Sequence, residues 1–129
     1  SGDWRTRDLN TELIDADGIV TISSNQFTLQ AGTYFVEAFV PAYKPNRHMA
    51  KLYQTSGTPA NIATGTSMYA VNSYQGMNIS HVFARFTISG ATTYEIQHYG
   101  ETNMSTYGFG IGTDLSTEIY TVVKIFKES

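Results

Sequence analysis

Three histidines and a few carboxylates are the side chains whose types could support chemistry in this 129-residue chain. His48, His81 and His98 lack the spacing of a metal-binding pair, and no HExxH motif occurs. We therefore expect each histidine to be a polar strand residue or a hydrogen-bonding partner in the core. His48 follows Arg47, and we expect it to have a structural role near the start of a strand.

Paired carboxylates would be needed for a glycosidase, which places two of them about 5–10 Å apart. Glu37 and Glu95 could supply such a pair, but Glu37 lies between Phe35 and Phe39 in a strongly apolar segment. That setting favours a buried polar contact that fixes the register between subunits. No serine lies in a nucleophile elbow. The sequence therefore predicts no catalytic residue and no enzyme.

Two further motifs resemble ligand-binding loops only in part. Asp15-Ala-Asp17-Gly18 begins like a calcium loop but lacks the later acidic ligands of the twelve-residue pattern, so we predict a turn. Gly108-Phe-Gly-Ile-Gly112 has neither a lysine nor a following helix, which argues against a phosphate loop. The chain has no cysteine, which excludes disulfides and thiolate zinc sites. We predict no metal site and no cofactor.

Tyrosines near predicted loops are the residues best suited to binding a ligand. A pyranose ring can stack on an aromatic face, and loops provide binding residues more often than strands do. The alternative is that half or more of these tyrosines pack at the core edge or between subunits. The candidate sugar-binding residues, with their polar neighbours, are Tyr69, Tyr74, Gln75, Asn78, Tyr99, Glu101, Asn103 and Tyr107.

The elements that must position these residues are short strands. Aromatic residues make up 13% of the chain, and charged residues make up 15%, compared with roughly a quarter in an average domain. A composition rich in aromatic residues and low in charge is typical of an all-β protein. Turn signals, among them Ala31-Gly32, divide the chain at regular intervals, which indicates a sandwich or barrel. The predicted strands are Trp4–Leu9, Ile19–Ser23, Gln26–Leu29, Thr33–Ala42, His48–Gln54, Thr66–Val71, Ser80–Ser89, Thr93–Tyr99, Tyr107–Ile111 and Thr117–Lys127.

Charge, hydropathy and length exclude several classes of protein. The formal net charge is −3 and there is no basic stripe, which argues against nucleic-acid binding. No apolar run approaches the roughly 18 residues of a membrane span, so we expect no membrane insertion. The length fits one domain with a substantial core, and no linker or repeat is visible. Residues 1–129 are predicted to form a single domain.

Two predicted strands, Thr33–Ala42 and Thr117–Lys127, are apolar on both faces. Side chains alternate across a strand, so a strand in a monomeric sandwich should have one polar face. If these two strands are neighbours, their outer faces merge into a patch larger than monomers usually expose. We therefore predict a homo-oligomer in which a partner subunit covers the patch. The predicted interface residues are Phe35, Glu37, Phe39, Tyr120, Val122 and Phe126.

Part of the sequence resembles the complement globular-head and tumour necrosis factor-like superfamily. Gly32-Thr-Tyr-Phe after Phe27-Thr-Leu resembles its central motif, and Glu118-Ile-Tyr-Thr-Val-Val-Lys-Ile-Phe126 is similar to its last strand. The resemblance implies a ten-strand jelly-roll β-sandwich that assembles as a homotrimer. It also implies that the long early strand and the last strand lie in the inner sheet beside the threefold axis. A surface calcium ion, as in the complement-like branch, stays open as an alternative.

Nearly the whole chain is similar to a bacteriophage version of this fold. The matching residues are Trp4, Arg7-Asp-Leu-Asn-Thr11, Pro41-Ala-Tyr43, Asn46-Arg-His48, Ala50-Lys-Leu-Tyr53, Gly65-Thr-Ser67 and Gly108-Phe-Gly110. Such domains resemble those at the ends of tail fibres and tailspikes. The resemblance implies a C-terminal part of a larger virion protein, in a phage tail or another surface appendage.

The role implied by this resemblance is trimerisation together with binding of a host cell-surface glycan or protein receptor, without catalysis. The main alternative is a purely structural module for trimerisation or virion assembly. An enzyme that degrades polysaccharide is less favoured, because the sequence offers no catalytic constellation. This fold carries many different binding tasks, so the fold alone does not decide among these roles.

Overall fold

The computed structural model describes residues 3–73, 76–102, 110, 112 and 114–129. These residues form ten strands and no helix. No membrane-spanning helix is therefore found in the described part of the chain. The strands are β1 (Arg5–Thr6), β2 (Val20–Ser23), β3 (Gln26–Leu29), β4 (Gly32–Tyr43), β5 (Asn46–Gln54), β6 (Ala60–Thr64), β7 (Met68–Ala70), β8 (Met77–Ile88), β9 (Thr92–Gly100) and β10 (Val122–Lys127).

The strands form two sheets, and all their pairings are antiparallel. The seven-stranded sheet has the order β2-β3-β9-β5-β6, with β1 paired to β9 and β7 paired to β5. The three-stranded sheet has the order β10-β4-β8. Buried side chains from both sheets form one core cluster, so the sheets pack face to face as a sandwich.

Strand β4 lies in the middle of the three-stranded sheet and alternates as predicted. Tyr34, Val36, Ala38 and Val40 are buried and contribute to the core. Burying one such apolar side chain stabilises the fold by roughly 1.5–3 kcal/mol. The residues between them point to the other side of the sheet. The core residues of the opposing sheet and of β8 are Phe27, Leu29, Ala50, Leu52, Tyr94, Ile96 and Val82.

The turn between β3 and β4 depends on Gly32. Its φ is 156°, and an added Cβ atom would lie 2.8 Å from the carbonyl oxygen of Ser129 and 2.9 Å from Cε of Lys127. Only a residue without a side chain fits this conformation and this close approach. The predicted turn at Ala31-Gly32 is therefore confirmed, and it brings the chain directly against the end of β10.

The first strand is shorter than the predicted Trp4–Leu9, because the chain leaves the sheet edge at Arg7. The Arg7 backbone N–H donates to the carbonyl of Ile96 (2.8 Å), and its side chain then turns into the sandwich. There Nη1 donates to the carbonyl of Pro41 and Nε donates to Oγ1 of Thr121, each at 2.8 Å. Arg7 thus ties the N-terminal segment to β4 and to the residue that precedes β10.

One strand was not predicted, and the last strand is shorter than predicted. The structure forms β6 in a segment for which no strand was predicted, because its exposed residues show no apolar alternation. The last strand begins at Val122 rather than Thr117, because the Asp114 N–H donates to Oε2 of Glu118 and keeps that segment in a turn. The predicted strand Tyr107–Ile111 lies, apart from Gly110, outside the described residues.

Candidate functional site

The outer face of the three-stranded sheet carries the predicted interface residues. Strand β10 pairs with β4, so the predicted adjacency of these strands is confirmed. In the register Val122 lies opposite Phe39, Lys124 opposite Glu37, and Phe126 opposite Phe35. On the other side, β8 places His81, Phe83 and Arg85 opposite Phe39, Glu37 and Phe35. We call the surface formed by Phe35, Phe39, Phe83, Val122 and Phe126 the apolar face.

The rings of the apolar face contact one another but do not shelter one another from water. The Phe35 and Phe126 centroids are 6.4 Å apart, and His81 lies 5.1 Å from Phe39 and 6.1 Å from Phe83. Phe83 is 54% exposed and Phe126 is 50% exposed. Two aromatic side chains half open to solvent, on the strands either side of β4, form an unusual surface for a monomer.

Few charges interrupt this face, and they lie at defined positions. Lys124 places its Nζ atom 5.9 Å from the ring centroids of both Phe39 and Phe126. At the rim, Arg85 donates from Nε and Nη2 to the carboxylate of Glu128, which raises the pKa of Arg85. Glu37 and Lys124 thus lie opposite each other in the row that includes Phe83, and the Arg85–Glu128 ion pair lies at the edge of the face.

Tyr120, the remaining predicted interface residue, precedes β10 rather than lying in it. Its ring packs against the backbone of Gly110, where an added Cβ atom would come within 3.0 Å of Cε1. The side chain is 38% exposed. Five of the six predicted interface residues thus share the outer side of one sheet, and Tyr120 lies beyond its start.

A groove of about 600 Å³ lies where β5, β7 and β9 meet in the seven-stranded sheet. Strands β5, β7 and β9 position its walls, because Met49 lies opposite Tyr99 and Arg47 lies opposite Tyr69 in the antiparallel registers. The volume falls within the roughly 300–1,000 Å³ range of small-molecule sites. The groove is lined by Arg47, His48, Met49, Ser67, Met68, Tyr99 and Glu101.

An ion pair forms the polar rim of the groove. Nε of Arg47 donates to Oε2 of Glu101 (2.8 Å), and Nη2 contacts the same oxygen. The two residues are also joined through the backbone, since the Glu101 N–H donates to the Arg47 carbonyl at 2.9 Å. The pairing raises the pKa of Arg47 and lowers that of Glu101, and the nearby Tyr69 and Tyr99 also raise the pKa of Arg47.

Aromatic side chains continue from the groove along the same face. Tyr99 meets the edge of Trp4 at a centroid distance of 5.6 Å. Nζ of Lys51 lies 4.0 Å from the Trp4 centroid and 5.2 Å from that of Tyr53. Such cation–π and edge contacts hold the rings in defined orientations. The face therefore offers ordered aromatic surface beside hydrogen-bonding groups.

A chain of hydrogen bonds runs from the surface beside the groove into the core. Nδ2 of Asn78 donates to the carbonyl of Tyr69, which turns the Asn78 Oδ1 atom toward Nε2 of His48. Because Oδ1 only accepts, Nε2 of His48 is the donor, and its Nδ1 accepts from Nε2 of His98 at 3.0 Å. The network fixes both rings in neutral tautomers, and it joins strands of the two sheets.

Burial and a nearby cation oppose protonation of this pair. Burial lowers the pKa of His98 to about 3, with the charges of Arg7 and His48 acting in the same direction. Burial likewise lowers the pKa of His48, against the raising effect of its bond to Asn78. Arg7 is itself 1% exposed, and burial lowers its pKa to about 9. The expectation that His48 has a structural role agrees with this setting.

The structure brings together only some of the predicted sugar-binding residues. Tyr99 and Glu101 line the groove and Tyr69 lies opposite Arg47 beside it, whereas the Asn78 amide is occupied by His48 and the Tyr69 carbonyl. Sequence reasoning missed four other residues of this surface: Arg47, Met49, Met68 and Trp4. The candidates Tyr74, Gln75, Asn103 and Tyr107 lie outside the described residues.

The carboxylates considered for catalysis do not meet. Glu37 lies on the outer face of the three-stranded sheet. Glu95 lies on the seven-stranded sheet, where it accepts from Thr6 and from Nε2 of Gln26 (3.1 Å). The core separates the two. Asp15 accepts backbone N–H groups from its own turn, and the described residues contain no cluster of three potential metal ligands.

Comparison with known proteins identifies the fold. Neither a protein-family model nor a curated protein matches this chain. The structure is similar to the globular domain of zebrafish complement 1qA protein, with a TM-score of 0.56 and 15% identity, covering 94% of this chain and 79% of that chain. The all-β architecture predicted from the sequence is confirmed: this chain has the jelly-roll fold of the complement globular-head and tumour necrosis factor-like superfamily.

Proposed function

We propose that this domain forms a homotrimer through its apolar face and binds a glycan or protein receptor on a host-cell surface without catalysis. Its setting would be a virion, as the end domain of a phage tail fibre or tailspike. The observation that supports assembly is the exposed aromatic surface around Phe83 and Phe126. The phage setting is supported by the sequence resemblance, which extends from Trp4 to the last strand.

The energetics favour a covered apolar face. Hiding several hundred Å² of apolar surface stabilises an assembly by about 10 kcal/mol at 25 cal/mol per Å². Association costs an estimated 4–15 kcal/mol, so a single such contact is marginal. A closed ring gives each subunit two contacts rather than one. The complement-like fold and the narrow three-stranded sheet therefore both favour three copies around one axis.

Receptor binding would use surfaces that the assembly leaves open. The outer face of the seven-stranded sheet lies on the opposite side of the sandwich from the apolar face. In a trimer closed through the apolar face, the outer face of the seven-stranded sheet would be exposed on each of the three subunits. Three weak contacts on one rigid body give an avidity well above the affinity of one contact. This arrangement suits attachment to a repetitive surface such as a capsule or another cell-surface polysaccharide.

Adsorption of the labelled domain to candidate host cells tests this function. The same preparation is run on a sizing column, so that its assembly is known in each assay. We expect saturable adsorption by the trimer to at least one host and much weaker adsorption by a monomeric variant. An intact trimer that adsorbs to none of the hosts of related phages would contradict receptor binding.

A purely structural module is the second candidate, because the apolar face needs only a partner subunit. Failure of adsorption by an intact trimer would favour this role. Catalysis has less support, since Glu37 and Glu95 lie on opposite sides of the sandwich. Shortening of host capsule chains by the isolated domain would overturn the non-catalytic assignment.

A further inference from the structure

We propose that the groove between β5, β7 and β9 binds one neutral pyranose unit of a glycan. This inference rests on the proposed receptor-binding function and goes beyond it by naming the site and the chemical class of ligand. Three features of the groove support it: its position away from the apolar face, its aromatic and thioether wall, and its neutralised polar rim.

The position of the groove leaves it accessible after assembly. Its wall residues Met49 and Tyr99 belong to the outer face of the seven-stranded sheet. The apolar face belongs to the other sheet, and the core lies between them. Closure of a trimer through the apolar face would therefore leave one groove open on each subunit.

The wall of the groove matches the apolar side of a sugar ring. A pyranose presents a patch of C–H groups on one face, which packs against aromatic carbons. Tyr99 supplies such a surface, and Met49 opposite it in the register extends it with a polarizable thioether chain, while Met68 lines the groove from the position opposite His48. Trp4 contacts Tyr99 edge-on, so the tyrosine ring is oriented before a ligand arrives. Less conformational entropy is then lost on binding.

The rim of the groove matches the hydroxyl groups at the edge of the same ring. The guanidinium of Arg47 has five N–H donors, and two of its nitrogens are directed at one oxygen of Glu101. The remaining N–H donors of Arg47 and the carboxylate lone pairs of Glu101 thus lie side by side. Of two adjacent sugar hydroxyls, one can accept a hydrogen bond from Arg47 and the other can donate one to Glu101. Ser67 adds a third polar group.

The charge balance of the rim selects neutral over acidic sugars. The Arg47 charge is matched by Glu101 in a pair held by both side chains and backbone. A uronate or sialate would have to displace Glu101 or bring its own carboxylate beside it. Like charges at such close range repel. The formal net charge of −3 adds to this discrimination.

Ligand-detected NMR and titration with two matched probes test the proposal. Methyl β-glucopyranoside and methyl β-glucuronide differ only at C6, where a hydroxymethyl group replaces a carboxylate. Methyl β-galactopyranoside and methyl α-mannopyranoside extend the neutral set. We expect saturation transfer to at least one neutral probe and at least fivefold weaker binding of the glucuronide than of the glucoside.

Variants separate the wall from the rim. Tyr99→Ala should weaken binding of the neutral probe at least tenfold, whereas Tyr53→Ala, a tyrosine of the same sheet outside the groove, should leave it unchanged. Glu101→Gln frees the Arg47 charge, so binding of the glucuronide should rise relative to the glucoside. Thermal melts and sizing of each variant confirm that fold and assembly are retained.

Each outcome decides between the site and the wider function. No saturation transfer to any neutral probe, preference for the glucuronide in the native protein, or unchanged binding in Tyr99→Ala would overturn the groove assignment. If one of these results is obtained and the trimer still adsorbs to host cells, the receptor-binding function stands, and the receptor binds at a site other than the groove. If neutral sugars bind at Tyr99 but no host is adsorbed, the groove assignment stands and the attachment role fails.

Discussion

The outer faces of the two sheets present aromatic residues of different kinds. On the three-stranded sheet, the apolar face contains four phenylalanines and few charges. On the seven-stranded sheet, the aromatic residues near the groove are Trp4, Tyr53, Tyr69 and Tyr99, with Lys51 and Arg47 beside them. Phenylalanine has no group that favours water, whereas tyrosine and tryptophan combine an apolar body with a polar atom. The first face suits permanent burial, and the second suits a surface that alternates between water and a ligand.

The largest expected effect comes from a charge placed in the apolar face. Phe39→Asp puts a carboxylate between Val122 and His81 on the outer side of β4, within the proposed interface. Desolvating an unpaired charge costs several kcal/mol, so the trimer should dissociate into monomer or aggregate. Sedimentation velocity measures the change. The matched control is Tyr53→Asp on the outer face of the other sheet, which should stay trimeric. An intact Phe39→Asp trimer would show that the outer side of β4 does not lie at the subunit interface.

Acid should destabilise the protein through the histidine pair between the sheets. The folded state holds the pKa of His48 and His98 below the ordinary 6.5, so this contribution to stability is complete above pH 6.5. It is lost as pH falls from 6.5 toward the folded-state value, by roughly 1.4 kcal/mol per pH unit for one histidine. We expect the free energy of unfolding to fall by about 2 kcal/mol or more from pH 7 to pH 5.

Urea unfolding at a fixed protein concentration measures this slope. The double variant His48→Gln/His98→Gln should flatten it, because the unfolded chain then no longer binds protons at these two positions. The control His81→Gln, on the apolar face, should keep the slope of the native protein. Equal slopes in the double variant and the native protein would assign the acid effect to carboxylates instead.

Arg7→Met should have a smaller effect on stability. The side-chain length is kept, but the carbonyl of Pro41 and the hydroxyl of Thr121 lose a donor. A buried acceptor left unsatisfied costs about 1–3 kcal/mol, partly offset here by removal of a desolvated cation. The variant also removes a charge that lowers the pKa of His98, so its acid slope should be shallower. If both the stability and the acid slope are unchanged, the hydrogen bonds of Arg7 to Pro41 and Thr121 do not stabilise the fold.

The smallest effect is expected for the ion pair at the groove. Both partners are open to solvent, and exposed pairs contribute little to folding. Arg47→Ala and Glu101→Ala should therefore leave the melting temperature unchanged within error, while sugar binding is lost. A clear fall in melting temperature would reassign the pair to a structural role. The matched control is Arg85→Ala, which removes the exposed Arg85–Glu128 ion pair at the rim of the apolar face.

Much of the fold was predictable because alternation is a local signal. The alternating residues of β4 identified its core side, and the Gly32 turn was visible in the sequence. That β4 and the last strand share one sheet was implied by the family resemblance, and the register shows that they are direct neighbours. Strand β6 was missed because its side chains are largely exposed and follow no apolar period.

The groove was harder to predict because it depends on register between distant strands. Met49 and Tyr99 are 50 positions apart and meet only when β5 pairs with β9. The same pairing places Arg47 beside Glu101, although Glu101 alone had been selected. His48 and His98 have no metal-like spacing in the sequence, yet their rings are hydrogen bonded in the core. Spacing along the chain therefore identifies helical and loop motifs better than sites built across a sheet.

The mass of the native protein in solution decides whether the domain forms a homotrimer. Sedimentation equilibrium or native mass spectrometry at micromolar concentration should give three times the 14.3 kDa chain mass. The trimer should also protect amide hydrogens of β4 and β10 from exchange, relative to Phe39→Asp. A stable, monodisperse species of 14.3 kDa, with the rings of Phe83 and Phe126 in contact with water, would contradict the account.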